Sequence, residues 1–297
     1  MKKNLILILF IISLLILGVG GYYYTRSDDT PIKISSNPWV GFTPFIYAQE
    51  KGWLEKTPFK FVWQVDLSEN NRLYERGFVQ GFTATQYELL HFKDYSHLKP
   101  VFLIDRSFGA DMILSNRTLE SLRDTDEPIK VYLEIGSLNE DFFRAFVREN
   151  GLQKLKFVFI NSDQNSMGNI NPSKSPVILI SYDPYGSAFL KKGYIKIAST
   201  QSMQSFFVID ALFVDERFIE GKEEKYRKLQ QIFDQALEVL KNNPQEYYKT
   251  IKGYLEGQSY EDFMASTTQI KWLNTGEHQD MQEQLRSQHI STQRILK

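Results

Sequence analysis

Short apolar segments alternate with helical segments from residue 31 to about residue 200. IKISS at Ile32–Ser36 is typical of a strand, and PFIYAQEKG, which begins at Pro44, is typical of a helix. Strands that alternate with helices predict βαβ units and a mainly parallel sheet flanked by helices. The last third of the chain is almost entirely helical. The pattern therefore predicts an α/β fold with two sheets, one over about 31–110 and the other over about 116–200.

Individual elements follow from local composition. Predicted strands include Ile32–Ser36, Gly81–Thr85, Asp111–Ser115 and Ile129–Leu133. The segment Asn161–Pro176 is rich in Asn and Ser and contains two prolines, a composition that predicts a mobile surface loop.

Charge and cysteine content argue against several classes of function. The chain has 35 Lys and Arg against 36 Asp and Glu, whereas nucleic-acid binders usually carry a basic excess. We therefore expect no nucleic-acid partner. There are no cysteines, so disulfides, thiolate metal sites, cysteine nucleophiles and a lipid-anchored cysteine are all excluded.

Residues 1–30 resemble an export segment. Lys2 and Lys3 precede an unbroken apolar run, which ends in a cluster of three tyrosines. A cleaved signal peptide would use Gly18, Gly20 or Gly21 as the small residues near the cut. An uncleaved anchor would use residues 5–24 as an apolar helix that holds the chain at the inner membrane. Both interpretations remain open, and both place the rest of the chain in the periplasm or another extracytoplasmic space.

Standard catalytic motifs are absent. The sequence has no His-Glu-x-x-His metal helix, no Gly-x-Ser-x-Gly elbow and no phosphate-binding Gly-x-x-x-x-Gly-Lys loop. The four histidines have no metal-ligand spacing. We therefore predict a protein that is not an enzyme and has neither a metal nor a cofactor.

Polar residues instead recur in the turns at strand ends. Examples are SSNPWVGF, TATQYE, IDRSFGAD, EIGSLNED and SYDPYG. Ligands of open α/β sheets bind outside the carboxyl ends of the strands. A Ser, Thr, Asp or Asn in such a turn is also a common helix cap, and a Trp is commonly a core residue, so both explanations stand at this point.

These turns resemble motifs of the type II periplasmic substrate-binding proteins, which include receptors for taurine, alkanesulfonates, nitrate and thiamine precursors. NPWVGFTPFIYAQEKGW, from Asn37, is similar to their first strand-turn-helix. GFVQGFTATQYELL matches a second motif, with Thr85 and Glu88 in register. IDRSFGADMIL matches a third, and SYDPYGSAFLKKG with FVIDALFVDERFIEG resembles the turn of the second lobe and the crossover back. The resemblance covers about residues 31–275.

The resemblance implies two lobes with a ligand cleft between them. Lobe 1 would comprise residues 31–110 and 205–297, and lobe 2 residues 111–204. Two crossings, near Ser107–Met112 and Ser205–Asp210, would act as a hinge that closes on ligand. The family often has Pro-Gly where this chain has Gln204 and Ser205, which makes the hinge less like that of its relatives.

The resemblance also implies cleft residues. Trp39 would offer a flat surface for stacking, and Gly41 would let a ligand approach backbone amides. The expected ligand-binding residues are Trp39, Gly41, Thr85, Ser107, Glu134, Ser137, Tyr182, Asp183 and Asp210.

Acidic residues outnumber basic ones in this set, and Arg106 is the nearest cation in the sequence. Aromatic rings with carboxylates suit a cationic or heteroaromatic ligand, whereas a sulfonate would face like charge. Asp111 and Asp210 have an alternative role as braces of the hinge.

The expected function is that of an exported solute-binding protein, which delivers a small organic ligand to the membrane subunits of an ABC importer. A membrane-anchored sensor that signals through a partner is a second hypothesis. An enzyme on the same fold is a third; the pyrimidine-making enzyme that resembles this family carries a Cys-rich motif that this chain lacks.

Overall fold

Two separate mixed sheets organise the computed structural model, which describes residues 30–65 and 67–296. The strands in chain order are β1 (Ile32–Ser36), β2 (Phe59–Trp63), β3 (Gly81–Thr85), β4 (Leu98–Ser107), β5 (Asp111–Ser115), β6 (Ile129–Leu133), β7 (Phe157–Asn161), β8 (Val177–Tyr182), β9 (Ile195–Ser199), β10 (Ile209–Asp215) and β11 (Ile270–Trp272).

The first sheet has the order β11-β4-β10-β3-β1-β2, and the second sheet has the order β7-β6-β8-β5-β9. Of the nine pairings among these strands, four are parallel and five are antiparallel. The sheets are therefore mixed, whereas the sequence pattern predicts mainly parallel ones. The difference arises because β10 returns to the first sheet antiparallel to β3 and β4, and β5 lies antiparallel between β8 and β9.

Helices cover both sheets. In chain order they are α1 (Thr43–Glu50), α2 (Leu67–Glu75), α3 (Gln86–Leu90), α4 (Leu119–Arg123), α5 (Leu138–Glu149), α6 (Gln164–Met167), α7 (Tyr185–Lys191), α8 (Glu223–Asn242), α9 (Pro244–Ile251), α10 (Tyr260–Thr267) and α11 (Gln279–Ser287).

The turn NPWVGF connects β1 to α1 through a short 3₁₀ helix at Val40–Phe42. Pro44 lies in the first turn of α1, where its missing N–H costs no hydrogen bond. Beyond the end of α1, Gly52 has a φ of 70°, a left-handed conformation that favours glycine. These signals fix the length of α1 and place Trp39 just beyond the end of β1.

The long helix α8 packs against the first sheet through one apolar stripe. Its buried residues recur every three or four positions, as helical periodicity requires. Phe233 lies at their centre, with ring centroids 4.9 Å from Phe45 and 5.9 Å from Phe102. This aromatic cluster joins α1, α8 and β4 in the main core.

The segment Asn161–Pro176, predicted as a mobile loop, contains helix α6. Asp163 caps the helix by accepting a hydrogen bond from the Ser166 amide at 2.8 Å. Met167 is fully buried, and the Ser181 hydroxyl donates to Gln164 Oε1 at 2.8 Å. The buried side chains of Met167 and Gln164 therefore hold in place a segment whose composition predicts only a loop.

The apolar segment at residues 5–24 lies outside the described residues, so its interpretation as a signal peptide or an anchor stays a prediction. Among the residues that the structure describes, no helix is both long enough and apolar enough to span a membrane.

Replacing Met167 with Ala should lower the free energy of unfolding by about 2–5 kcal/mol, because the change leaves a cavity beneath α6. The exposed neighbour Asn165 is the matched control, and Asn165→Ala should change stability by no more than about 0.5 kcal/mol. Urea denaturation measures both. If both variants change the free energy of unfolding equally little, the segment is a surface loop that does not contribute to the core.

Candidate ligand-binding site

A small central cavity lies between the two sheets. The first sheet and its flanking elements contribute Trp39, Phe42, Leu67, Thr85 and Asp210, and the second contributes Asp111, Leu138 and Tyr182. In this conformation the cavity has a volume of about 10 Å³, room for about one water molecule. Every one of these side chains lies in a turn, at a strand end or in the first turn of a helix, the positions at which open α/β sheets bind ligands.

Strand register pairs the cavity residues within each sheet. Asp210 lies opposite Thr85 across the β10–β3 pairing. Asp111 lies opposite Tyr182 across the β5–β8 pairing. Each sheet therefore brings one carboxyl group and one hydroxyl-bearing neighbour to the same edge, where the two sheets face each other.

Two aromatic side chains form a wall of the cavity. The Trp39 and Tyr182 rings meet edge to face, with centroids 5.9 Å apart. Trp39 Nε1–H donates to Asp105 Oδ2 at 3.3 Å, and the Tyr182 hydroxyl donates to Glu134 Oε1 at 3.4 Å. Both rings have their polar ends held by carboxylates, so their faces stay fixed.

Four carboxyl groups gather around the cavity, and all are at least 98% buried: Glu88, Asp105, Asp111 and Asp210. Burial raises the pKa of Asp111 to about 7. Burial also raises the pKa values of Asp105 and Asp210, which lie opposite each other in register and interact as a hydrogen-bonded pair. Two such carboxyls favour one shared proton, because adjacent buried negative charges repel.

Glu88 has a structural role that joins the two sheets. Its Oε2 accepts from the amide of Thr85 at 2.9 Å and also from the Thr85 hydroxyl, which completes a capping box at the start of α3. Its Oε1 accepts from the Leu138 amide at 2.7 Å, at the N-terminus of α5. One carboxyl thus satisfies the first N–H groups of helices that flank different sheets.

The other three carboxyls each keep an oxygen without a hydrogen-bond partner among the described residues: Asp105 Oδ1, Asp111 Oδ2 and Asp210 Oδ2. A buried polar atom left in this way is costly. Among the cavity-lining residues that the structure describes, none is a Lys, Arg or His. The cavity is therefore acidic, buried and short of donors.

The nearest predicted cation, Arg106, lies outside the cavity. Its guanidinium carbon is 3.7 Å from the centroid of the Phe207 ring, and it has a second aromatic neighbour in Phe108. Successive side chains in a strand point to opposite faces, so Arg106 leaves the sheet on the side away from Asp105. Arg106 therefore leaves the acidic character of the cavity unchanged.

Four of the nine predicted ligand-binding residues line the cavity: Trp39, Thr85, Tyr182 and Asp210. Glu134 lies directly behind Tyr182, where its Oε2 also accepts from the Leu67 amide at 3.2 Å. Their contact with a ligand stays a prediction, but the fold brings these five together.

The other four lie outside the lining and have local roles. Ser137 caps α5, accepting from the Asn139 amide at 3.2 Å. Asp183 Oδ2 accepts from the Ser266 hydroxyl at 2.7 Å. Ser107 lies in the crossing between the sheets. A Cβ on Gly41 would lie 1.7 Å from Asp105 Oδ2, so the glycine makes room for that carboxyl.

Sequence reasoning missed five contributors as ligand-site residues: Phe42, Leu67, Asp105, Asp111 and Leu138. Asp105 lies within the motif IDRSFGADMIL and Asp111 is predicted only as a brace of the hinge, although an acidic residue within an apolar strand is a usable signal. Leu67 and Leu138 begin helices α2 and α5 and carry no chemical signal.

The chain crosses between the sheets at residues 108–110 and again at 200–208, and these crossings lie side by side. The Ser107 and Thr200 hydroxyls are 2.8 Å apart, and the Gly109 amide donates to Thr200 Oγ1 at 2.8 Å. Glu149 Oε1 accepts from the amides of Gln204 and Ser205 at 2.9 and 3.1 Å. Helix α5 thus anchors the part of the second crossing that departs from the family pattern.

Helices that flank different sheets also contact each other outside the cavity lining. His91, at the end of α3, lies 2.9 Å from Asp141 Oδ2 of α5, and this hydrogen bond raises the pKa of His91. On another side, Lys191 of α7 pairs with Asp262 of α10. The cavity walls are therefore in direct contact in this conformation.

Replacing Gly41 with Ala should destabilise the protein by about 1–3 kcal/mol, because the new methyl group collides with Asp105 and with Trp39 Nε1. Gly253→Ala is the control, since no atom lies within 4 Å of the position that its Cβ would take. Chemical denaturation compares the two. A Gly41→Ala protein as stable as the control would show that Asp105 is free to move.

The stability of the ligand-free protein should fall as pH rises from about 5 to about 8. Burial raises the pKa of Asp111 to about 7 and that of Asp183 to about 6, whereas an unfolded Asp titrates near about 3.9. Between these values the folded chain holds protons that the unfolded chain has lost, so raising the pH favours unfolding. His91, whose pKa is also raised, changes stability in the same direction.

Urea midpoints across this pH range measure the effect, and Asp111→Asn should flatten the profile. Stability that rises from about pH 5 to about pH 8 would contradict the description of these carboxyls as proton-holding groups.

Comparison with known proteins finds likeness in structure. Neither the models of known families nor the curated proteins match this sequence. Among solved structures, a zinc-bound ligand-binding component of an ABC-type import system from Staphylococcus aureus matches with a TM-score of 0.64 and 13% identity, covering 88% of this chain and 92% of that one.

The alkanesulfonate-binding protein SsuA from Xanthomonas axonopodis pv. citri, bound to MOPS, matches with a TM-score of 0.63 and 12% identity, over 90% of this chain and 96% of its own. A mutant of DszB in complex with biphenyl-2-sulfinic acid, an enzyme, matches with a TM-score of 0.60 and 11% identity, over 87% and 92%. At these identities the likeness establishes architecture, and the chain has the α/β fold of the periplasmic binding proteins, as the motifs predicted.

Proposed function

We propose that the chain is an exported solute-binding protein that captures a small organic ligand between its two sheets and delivers it to the membrane subunits of an ABC importer. The observation that carries the proposal is the buried cavity at the junction of the sheets, next to two adjacent chain crossings. A cavity in this place opens and closes when one sheet rotates against the other. Matched structures that belong to import systems give independent support.

In this proposal each sheet with its helices is one lobe. Residues 31–110 and 205–297 form lobe 1, residues 111–204 form lobe 2, and the crossings form the hinge. Ligand contacts come from Trp39, Thr85, Tyr182 and Asp210, with Glu134 holding Tyr182 in place. Gly41, Ser107, Ser137 and Asp183 support the site by packing, hinge contacts and capping.

The ligand in this proposal is cationic or heteroaromatic. Buried carboxyls with unpaired oxygens favour a partner that brings positive charge or N–H donors, and the Trp39 and Tyr182 rings favour a flat or cationic group. A sulfonate would add negative charge to a cavity that already holds acidic groups, at a large desolvation cost. The matched alkanesulfonate-binding protein therefore predicts the fold of this chain but not its ligand.

The residues of the cavity are better suited to binding a ligand than to catalysing a reaction. The Thr85 hydroxyl already donates to Glu88, and no other Ser, Thr, Lys or His lines the cavity among the described residues. A nucleophile with an adjacent base is therefore missing there. The described residues also contain no group of three or more His, Cys, Asp or Glu side chains arranged to hold a metal.

Thermal unfolding in the presence of small amines, pyrimidines and sulfonates tests the function. We expect amines or pyrimidines to raise the unfolding temperature, because a ligand that binds only the folded state stabilises it. Sulfonates of similar size serve as the control and should have no effect. Stabilisation by sulfonates alone would remove the cationic and heteroaromatic assignment while leaving a solute-binding protein.

A further inference from the structure

Resting on the proposed function, we infer that Asp111 and Asp210 clamp a small organic ammonium ion between the two sheets. Asp210 is the second residue of β10 in the first sheet, and Asp111 is the first residue of β5 in the second. Both line the central cavity, both are 2% exposed, and each has one carboxylate oxygen without a partner among the described residues. Two unpaired acceptors from opposite walls suit one group that donates N–H bonds in two directions.

The other two buried carboxyls, Glu88 and Asp105, do not line the cavity. Glu88 accepts three hydrogen bonds and bridges α3 and α5. Asp105 accepts a hydrogen bond from Trp39 Nε1–H and lies opposite Asp210 in the pairing of β4 with β10. Asp111 and Asp210 are therefore the acids that both line the cavity and have a carboxylate oxygen without a hydrogen-bond partner among the described residues. They determine the charge of the ligand that the cavity binds.

The size and lining of the cavity define the rest of the ligand. Its volume of about 10 Å³ in this conformation is about the room that one water molecule needs. It therefore fits an ammonium head group, and an alkyl chain enters only when the sheets move apart. Phe42, Leu67 and Leu138 provide an apolar surface suited to a short alkyl chain, and Trp39 and Tyr182 provide ring faces and edges suited to a cation. Calcium or magnesium would need about six oxygen ligands in a tight shell, which this mainly apolar lining does not offer.

Cation binding in this site exchanges with protons. The acidic groups that act on Asp111 are Glu88, Asp183 and Asp210, and those that act on Asp210 are Asp105, Asp111 and Glu88. Since no basic residue lines the cavity among the residues that the structure describes, these acids keep protons when no ligand is present. An ammonium ion stabilises the ionised form, so its binding releases protons, and its affinity must rise with pH.

The test uses the full chain in mild detergent, with methylammonium and n-propylammonium as probes. Matched neutral and anionic probes are 1-propanol and propanesulfonate. We expect titration calorimetry at about pH 8 to detect the ammonium probes only. Affinity should weaken by up to about tenfold for each pH unit below the carboxyl pKa values, and heats in two buffers of different ionisation enthalpy should report proton release.

Asp111→Asn and Asp210→Asn should each weaken ammonium binding by about 30-fold or more, because each removes one partner of a buried charge pair. Asp234→Asn is the control. Asp234 is a half-buried acid of α8 whose pKa is also raised by burial, but it accepts from Asn274 and lies outside the cavity. If an Asn variant fails to fold, the proposal is tested by whether the unmodified protein releases protons when it binds the ammonium probes.

Binding of ammonium probes that releases no protons, or that survives both Asn variants, would overturn the clamp. Stabilisation by propanesulfonate or propanol without ammonium binding would overturn it too, while leaving the solute-binding function intact. No response to any probe overturns the clamp, and the solute-binding function is then judged separately by whether the natural protein retains a ligand.

Discussion

Burial of acidic side chains at the junction of two sheets is the constraint on which the rest of this structure depends. Glu88 holds the starts of α3 and α5 together and so fixes the distance between the sheets. Asp105 fixes the indole of Trp39 and takes the space that makes Gly41 necessary. Burying these carboxyls costs free energy. The cost is offset because neighbouring amides and hydroxyls donate hydrogen bonds to them and because some of them keep a proton.

Much of the fold could be predicted because strand signals are local. Ile32–Ser36, Gly81–Thr85, Asp111–Ser115 and Ile129–Leu133 have the predicted bounds. The segment β11 was missed, because three residues are too few for a periodic signal and its partner β4 lies far away in sequence. Helix α6 was missed because its stability comes from the burial of Met167, which composition does not reveal. β10 pairs antiparallel with β3 and β4, and β5 pairs antiparallel with β8 and β9. These pairings depend on tertiary structure and cannot be predicted from the alternation of strands and helices alone.

The site was predictable to the extent that strand ends define it. Trp39, Thr85, Tyr182 and Asp210 follow from the rule that ligands bind at sheet edges, and the fold brings them together. Leu67 and Leu138 could not be predicted, since their place in the lining depends on how two sheets meet. The position of Arg106 outside the cavity also follows from the sequence: it comes directly after Asp105 in β4, and successive side chains of a strand point to opposite faces.

The central claim is that the acidic cavity between the sheets holds a small cationic ligand. Native mass spectrometry of the protein, purified gently from its own host near neutral pH, tests it most directly. The account predicts a retained small molecule that carries positive charge and dissociates as the carboxyls gain protons below about pH 5. A retained sulfonate or other anion, or a protein that is empty and unresponsive to amines, would contradict it.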